Sequence, residues 1–184
     1  MIKPTAIIGA SAQGGAFTET ILRLMGSLNE RPIIFPLSNP TSKAECTAKD
    51  AFMYTEGRAV FASGSPFASL SLFGKTLYPS QGNNAYIFPG VALAVIACRA
   101  KHIPDYTFLV AAKALADLLT EEHLKQERLY PPLQDIRDVS LGIAEKVAEY
   151  FYAENLAEVN PKPTDMSEFL KSNQYNFNYF QSKH

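Results

Sequence analysis

Three short apolar runs punctuate the first third of the chain, and each one ends in small or polar residues. Thr5-Ala6-Ile7-Ile8 leads into Gly9-Ala10-Ser11-Ala12-Gln13-Gly14-Gly15. Pro32-Ile33-Ile34-Phe35 leads into Leu37-Ser38-Asn39-Pro40-Thr41, and Ala59-Val60-Phe61-Ala62 into Ser63-Gly64-Ser65-Pro66. The runs are continuous rather than alternating, which is the pattern of strands covered on both faces of a parallel sheet. Helical patterns fill the gaps. Thr18 is placed to cap the first, with Glu19 in its first turn and Ile21, Leu22, Leu24, Met25 and Leu28 as its apolar stripe. Thr47 caps the second, Ala51, Phe52 and Tyr54 form its inner face, and Gly57 is a stop. The spacing is that of βαβ units, and right-handed crossovers make these one half of a doubly wound sheet.

From about Phe88 the pattern turns helical. Pro89 to Cys98 is apolar on nearly every side and predicts a deeply buried helix. Asp105 caps a second helix with Phe108, Leu109, Ala112, Leu115 and Leu118 on one side. A third spans Asp135 to Tyr152, with Ile136, Val139, Ile143, Val147 and Phe151 at helical spacing. The fold class read from these patterns is α/β: a partial Rossmann-like, doubly wound parallel sheet of three βα units, then a helical C-terminal region. The expected division is 1–87 for the sheet, 88–160 for the helices packing on it, and 161–184 for a poorly ordered tail.

Composition narrows the function classes. With 17 Lys+Arg against 18 Asp+Glu in 184 residues, and 47% hydrophobic residues, the chain is a folded one with no basic field for nucleic acid. No apolar run approaches the ~20 residues that span a bilayer. Cys46 and Cys98 are too few for a disulfide scaffold, and Met1-Ile2-Lys3-Pro4 runs straight into a strand rather than a signal peptide. The expected setting is reducing and intracellular, with no nucleic-acid or membrane partner.

Ligands of open parallel sheets gather at the carboxyl ends of the strands. Residues 9–14 read Gly-x-Ser-x-x-Gly, which is either a nucleotide-contacting turn or a tight turn that needs glycine. Asn39, directly after a strand, can offer a donor and an acceptor to a ligand or close an Asx-turn into Pro40. Gln81-Gly82-Asn83-Asn84 is a second amide-rich loop, open to the same two readings. No Gly-x-Ser-x-Gly elbow and no Gly-Lys-Ser/Thr phosphate loop occurs. His102, His123 and His184 are too scattered for zinc. The strand-end loops are read as contributing Ser, Asn and Gly but no carboxylate, with the acidic residues on helix starts and solvated faces. The pattern is a binding edge without a chemical engine.

Several strings in fixed order resemble the decarboxylating malic enzymes. They are Ala6-Ile7-Ile8-Gly9-Ala10-Ser11, Gly14-Gly15-Ala16-Phe17-Thr18 and Asn29-Glu30-Arg31-Pro32-Ile33-Ile34-Phe35. The order continues with Leu37-Ser38-Asn39-Pro40-Thr41-Ser42-Lys43-Ala44-Glu45-Cys46-Thr47, Phe61-Ala62-Ser63-Gly64-Ser65-Pro66-Phe67, Gln81-Gly82-Asn83-Asn84, Phe88-Pro89-Gly90-Val91-Ala92-Leu93 and Arg128-Leu129-Tyr130-Pro131-Pro132. The resemblance covers roughly residues 3–163 and only the C-terminal portion of that family.

It implies oxidative decarboxylation of (S)-malate to pyruvate and CO₂ with NAD or NADP, the string 14–17 leaning to NADP, and a Mn²⁺ or Mg²⁺ ion. It implies malate contacts at Asn39, Asn83 and Asn84, and dinucleotide contacts at Gly9, Ala10, Ser11, Ser38, Asn39 and Gly64. The catalytic tyrosine and lysine and the metal ligands are expected in the missing N-terminal portion of the enzyme, which leaves this segment inactive alone. Family members are usually tetramers, so the resemblance implies a homo-oligomer for the complete enzyme, in the cytoplasm or mitochondria. The alternative is a non-catalytic, truncated binding or oligomerisation partner. Two departures from the family pattern are Pro36, expected to disturb the Asn39 loop, and Ser80, where glycine is usual.

Overall fold

The computed structural model describes residues 2–175. Three parallel strands, β1 (Ala6–Gly9), β2 (Ile33–Pro36) and β3 (Val60–Ser63), lie side by side with Ala6 opposite Ile33 and Ile33 opposite Val60. Helix α1 (Glu19–Leu28) and helix α2 (Ala48–Tyr54) make the crossovers, and both caps are those the sequence predicts. Thr18 accepts from the Ile21 N–H and Thr47 from the Asp50 N–H. Gly57 adopts φ +72° just beyond the second helix, and its N–H reaches the Phe52 carbonyl at 2.7 Å. Leu22, Ile34, Cys46, Ala48, Ala51, Phe52, Ala59 and Phe61 make the core under this layer.

The chain then does what the periodicity does not announce. An antiparallel hairpin of β4 (Leu70–Leu72) and β5 (Lys75–Leu77) is followed by a two-residue strand, β6 (Ser80–Gln81). That strand joins β3 as the fourth parallel member, giving the order β1-β2-β3-β6. Strands this short carry no readable period.

Two compact units result, residues 1–84 with 119–132, and 85–118 with 133–184. The chain leaves the first unit after residue 84 and returns to it through 119–132. This return holds α5 (Glu121–Lys125), capped by Thr120, whose side chain accepts from the His123 N–H. The Leu129 N–H donates to Ser80 Oγ at 2.9 Å, and the Arg128 guanidinium lies 4.6 Å over the Tyr78 ring. Ser80, where the family pattern leads one to expect glycine, thus has a specific partner.

In the second unit, α6 (Ile136–Ala153) packs against α3 (Phe88–Cys98), α4 (Tyr106–Asp117) and α7 (Met166–Ser172). The buried stripe of α6, Val139, Ile143, Val147 and Phe151, is the one its spacing predicts. Four expectations are corrected. Helix α3 buries Gly90, Val91, Ala94, Ala97 and Cys98, while Phe88 and Ile96 remain 53% and 70% exposed. Uniform apolarity reports burial without choosing a face. Helix α4 buries Thr107, Ala111, Ala114 and Leu115, and turns Phe108 and Leu109 outward. Its small residues allow close approach to a neighbouring helix, and Phe108 meets Phe88 edge-on at 6.3 Å. Asp105 precedes α4 but caps nothing with its side chain. The fourth correction concerns the expected tail, which contains α7, capped by Asp165 and anchored by a fully buried Leu170. Residues 176–184 of that tail lie outside the described residues. No helix among the described residues is long and apolar enough to cross a membrane.

Candidate functional site

The carboxyl ends of β1, β2, β3 and β6 deliver four loops to one edge of the first unit. Gly64, after β3, is pressed against the Leu37 carbonyl and the Asn39 side chain, so that a Cβ there would overlap backbone. Its own carbonyl accepts from Gln81 Nε2 at 3.2 Å and from Asn83 Nδ2 at 3.5 Å. The Ser65 hydroxyl donates to Asn39 Oδ1 at 2.5 Å. Asn39, Gly64, Gln81 and Asn83, far apart in sequence, therefore form one connected set. Asn84, itself exposed, opens a single helical turn, Asn84–Tyr86, whose Tyr86 is buried. Pro36 does no damage: the Gly64 N–H donates to its carbonyl, and the ladder resumes at once with the Leu37 N–H on the Gly9 carbonyl at 2.8 Å.

The loop after β1 is tied to the loop after β2 by a buried carboxylate. Glu45 is 1% exposed. It accepts from the Ser38 hydroxyl at 2.6 Å, the Ser11 N–H at 2.9 Å, the Ser11 hydroxyl at 3.0 Å and the Ser38 N–H at 3.4 Å. Ser38 Oγ accepts in turn from the Ala12 N–H at 2.9 Å. Burial alone would raise the Glu45 pKa, but hydrogen bonds from Ser38 and Ser11 outweigh it and hold the carboxyl down at about 2. Gly9 is glycine because a Cβ there would collide with this carboxylate. The expectation of strand-end loops free of carboxylates is thus corrected. Glu45 follows a Pro-Thr-Ser-Lys stretch just before a helix cap, where an acidic residue reads as solvated. The available signal was its place between apolar Ala44 and Cys46.

The Gly-x-Ser-x-x-Gly loop uses most of its backbone donors within the fold. The N–H groups of Ser11, Ala12, Gln13 and Gly15 are donated to Glu45, Ser38, Ser11 and the Ala44 carbonyl. Donors spent internally cannot cradle a phosphate. Among the residues singled out from sequence, Ala10, Ser11, Asn39 and Asn84 are exposed, and Asn83 is half-buried. Gly9, Ser38 and Gly64 are buried and shape the edge from beneath. Cys46 is buried beside Glu45, and its thiol is pushed up to about 12, by burial first and then by Asp50 and Glu45.

Residues 1–152 match the family described as the malic enzyme NAD binding domain. This chain belongs to the malic enzyme family. It is 56% identical over 181 residues to the NADP-dependent malic enzyme of Sus scrofa, covering 98% of this chain and 32% of that protein. To the mitochondrial NADP-dependent malic enzyme of Homo sapiens it is 60% identical over 180 residues, covering 97% of this chain and 30% of the relative. The malic enzyme structure from Pyrococcus horikoshii superposes with a TM-score of 0.67 at 25% identity, over 92% of this chain and 35% of that one. The chain thus spans about a third of the length of these relatives.

Proposed function

We propose that this chain is the C-terminal segment of an enzyme that oxidatively decarboxylates (S)-malate to pyruvate and CO₂, and that its strand-end edge supplies dinucleotide and malate contacts. The observation carrying this reading is the Asn39–Ser65–Gly64–Asn83 set at the carboxyl edge of a parallel sheet in a malic enzyme chain. Ser65 occupies Asn39 Oδ1, which leaves the amide's N–H donors as the group Asn39 offers. Neutral donors of this kind suit a carboxylate of malate. Asn83 and Asn84 continue the same surface.

The dinucleotide fits the loop after β1. Ala10 and Ser11 offer exposed surface, with Gly9, Ser38 and Gly64 holding the backbone behind them. When bound, NAD(P) supplies the hydride acceptor. The loop's internal donor pairing directs it to the nucleoside side of the cofactor rather than to the phosphates. NADP is the favoured form, since the relatives above are named for it.

A Mn²⁺ or Mg²⁺ ion does not fit these donors. The carboxylate at the edge, Glu45, already gives its oxygens to Ser11 and Ser38, and no cluster of three His, Cys, Asp or Glu forms among the described residues. The metal ligands, the base and the acid are assigned to the rest of the enzyme, the partner this segment requires in a homotetramer of the cytoplasm or mitochondria.

Asn39→Ala in the complete enzyme tests the reading. Loss of a hydrogen-bond partner for the substrate carboxylate costs about 1–3 kcal/mol. We expect kcat/KM for malate to fall by roughly 5- to 150-fold at that cost. An unchanged value would return Asn39 to a turn role. Titrating the same enzyme with NAD and NADP decides the cofactor.

A further inference from the structure

Glu45 has a burial and bonding pattern that the chemistry above does not use. It is a fully buried carboxylate without an ion-pair partner among the described residues. Its oxygens take four donors, two from Ser11 and two from Ser38. Buried carboxylates are costly unless fully hydrogen-bonded, and such bonds to a charge are short and directional. The two serines belong to different loops, after β1 and after β2, and each adjoins an exposed residue of the candidate site: Ser11 follows Ala10, and Ser38 precedes Asn39. Main-chain bonds from Gly15 to Ala44 and from Phe17 to the Glu45 carbonyl dock the far side of the first loop on the same stretch. Glu45 is therefore the point through which the loop proposed to meet the dinucleotide and the loop proposed to meet malate are fixed to one another.

We propose that Glu45 is a positioning residue for the dinucleotide edge, an internal anion whose four hydrogen bonds set where the 9–15 loop stands relative to Ser38 and Asn39. This rests on the dinucleotide reading given above. A neutral amide replaces it only in part: with its oxygen at the Oε1 position Gln would keep the three bonds made there, but without the charge that strengthens them, and its NH₂ would face the Ser38 N–H. Asp keeps the charge but withdraws it by one methylene.

The test uses the complete enzyme with Glu45→Gln and Glu45→Asp. Dinucleotide Kd is measured by the fluorescence of the reduced cofactor, with KM and kcat for both substrates and Tm alongside, well below the transition. We expect Glu45→Gln to raise Kd and KM for the dinucleotide about tenfold while kcat stays within twofold, and Glu45→Asp to raise them about threefold. A role confined to stability would lower Tm and leave Kd and KM of the folded enzyme unchanged, which would overturn the proposal. If the Gln variant does not fold, the Asp variant decides on the same criterion. Wild-type enzyme that binds neither dinucleotide would overturn the cofactor reading itself, whereas wild-type binding matched by both variants would overturn only the role of Glu45.

Discussion

Glu45 and Ser38 meet at 2.6 Å where both carboxylate oxygens accept hydrogen bonds, which makes the ionisation of one side chain visible in folding. Burial raises its pKa and the serine donors more than offset that, so the folded value, about 2, lies below the ordinary 4.5. The unfolded chain then binds the proton more tightly, and stability rises with pH across that window. The contribution is complete above about 4.5 and is lost as pH falls toward about 2. Denaturant melts of wild type and Glu45→Gln between those limits should show an acid limb in the former that is shallower in the latter; parallel curves would remove Glu45 from the acid transition. Several residues of the candidate site drew notice in the sequence by their position. Gly9, Ser38, Asn39 and Gly64 each stand directly after an apolar run, and strand ends are where parallel sheets expose loops. Glu45 was not, because the identity of an acidic residue says nothing about whether hydroxyls wait for it seven and thirty-four positions away.

Helices show the same divide between what periodicity carries and what it does not. Helix α6 was readable because apolar positions recurring at helical spacing among polar ones name a face. In α3 and α4 nearly every position is apolar or small, and the choice of face fell to alanines that admit a neighbour at short range. Helix α7 was lost among Pro161, Pro163 and polar residues, although Asp165-Met166-Ser167-Glu168 carries a start signal and the Glu168 N–H does donate to Asp165 at 2.9 Å. Leu170 is its fully buried anchor. Leu170→Ala should cost about 2–5 kcal/mol, the range for emptying a core leucine site. Chemical denaturation measures this, and a loss below 0.5 kcal/mol, the scale of neutral surface changes, would mean the helix contributes little to its unit.

For the molecule as a whole, the sheet order leaves β1 with a neighbour on one side only among the described residues. Ile8 on that strand is 65% exposed. An apolar edge strand templates pairing with other chains, and a lysine there blunts it. Ile8→Lys should therefore reduce self-association of this 184-residue chain, read by sedimentation velocity; an unchanged distribution would place the sticky surface elsewhere. The return of residues 119–132 to the first unit has a further consequence, for where the chain can be divided. A deletion that stops at residue 84 removes Leu129 and Arg128, the partners of Ser80 and Tyr78, and so strips β6 and the hairpin of their clasp. The helical unit is interrupted in the same way, by the passage of the chain between residues 118 and 133. Neither unit is thus available through a single cut, and an exchange of this region between relatives would have to carry both units together.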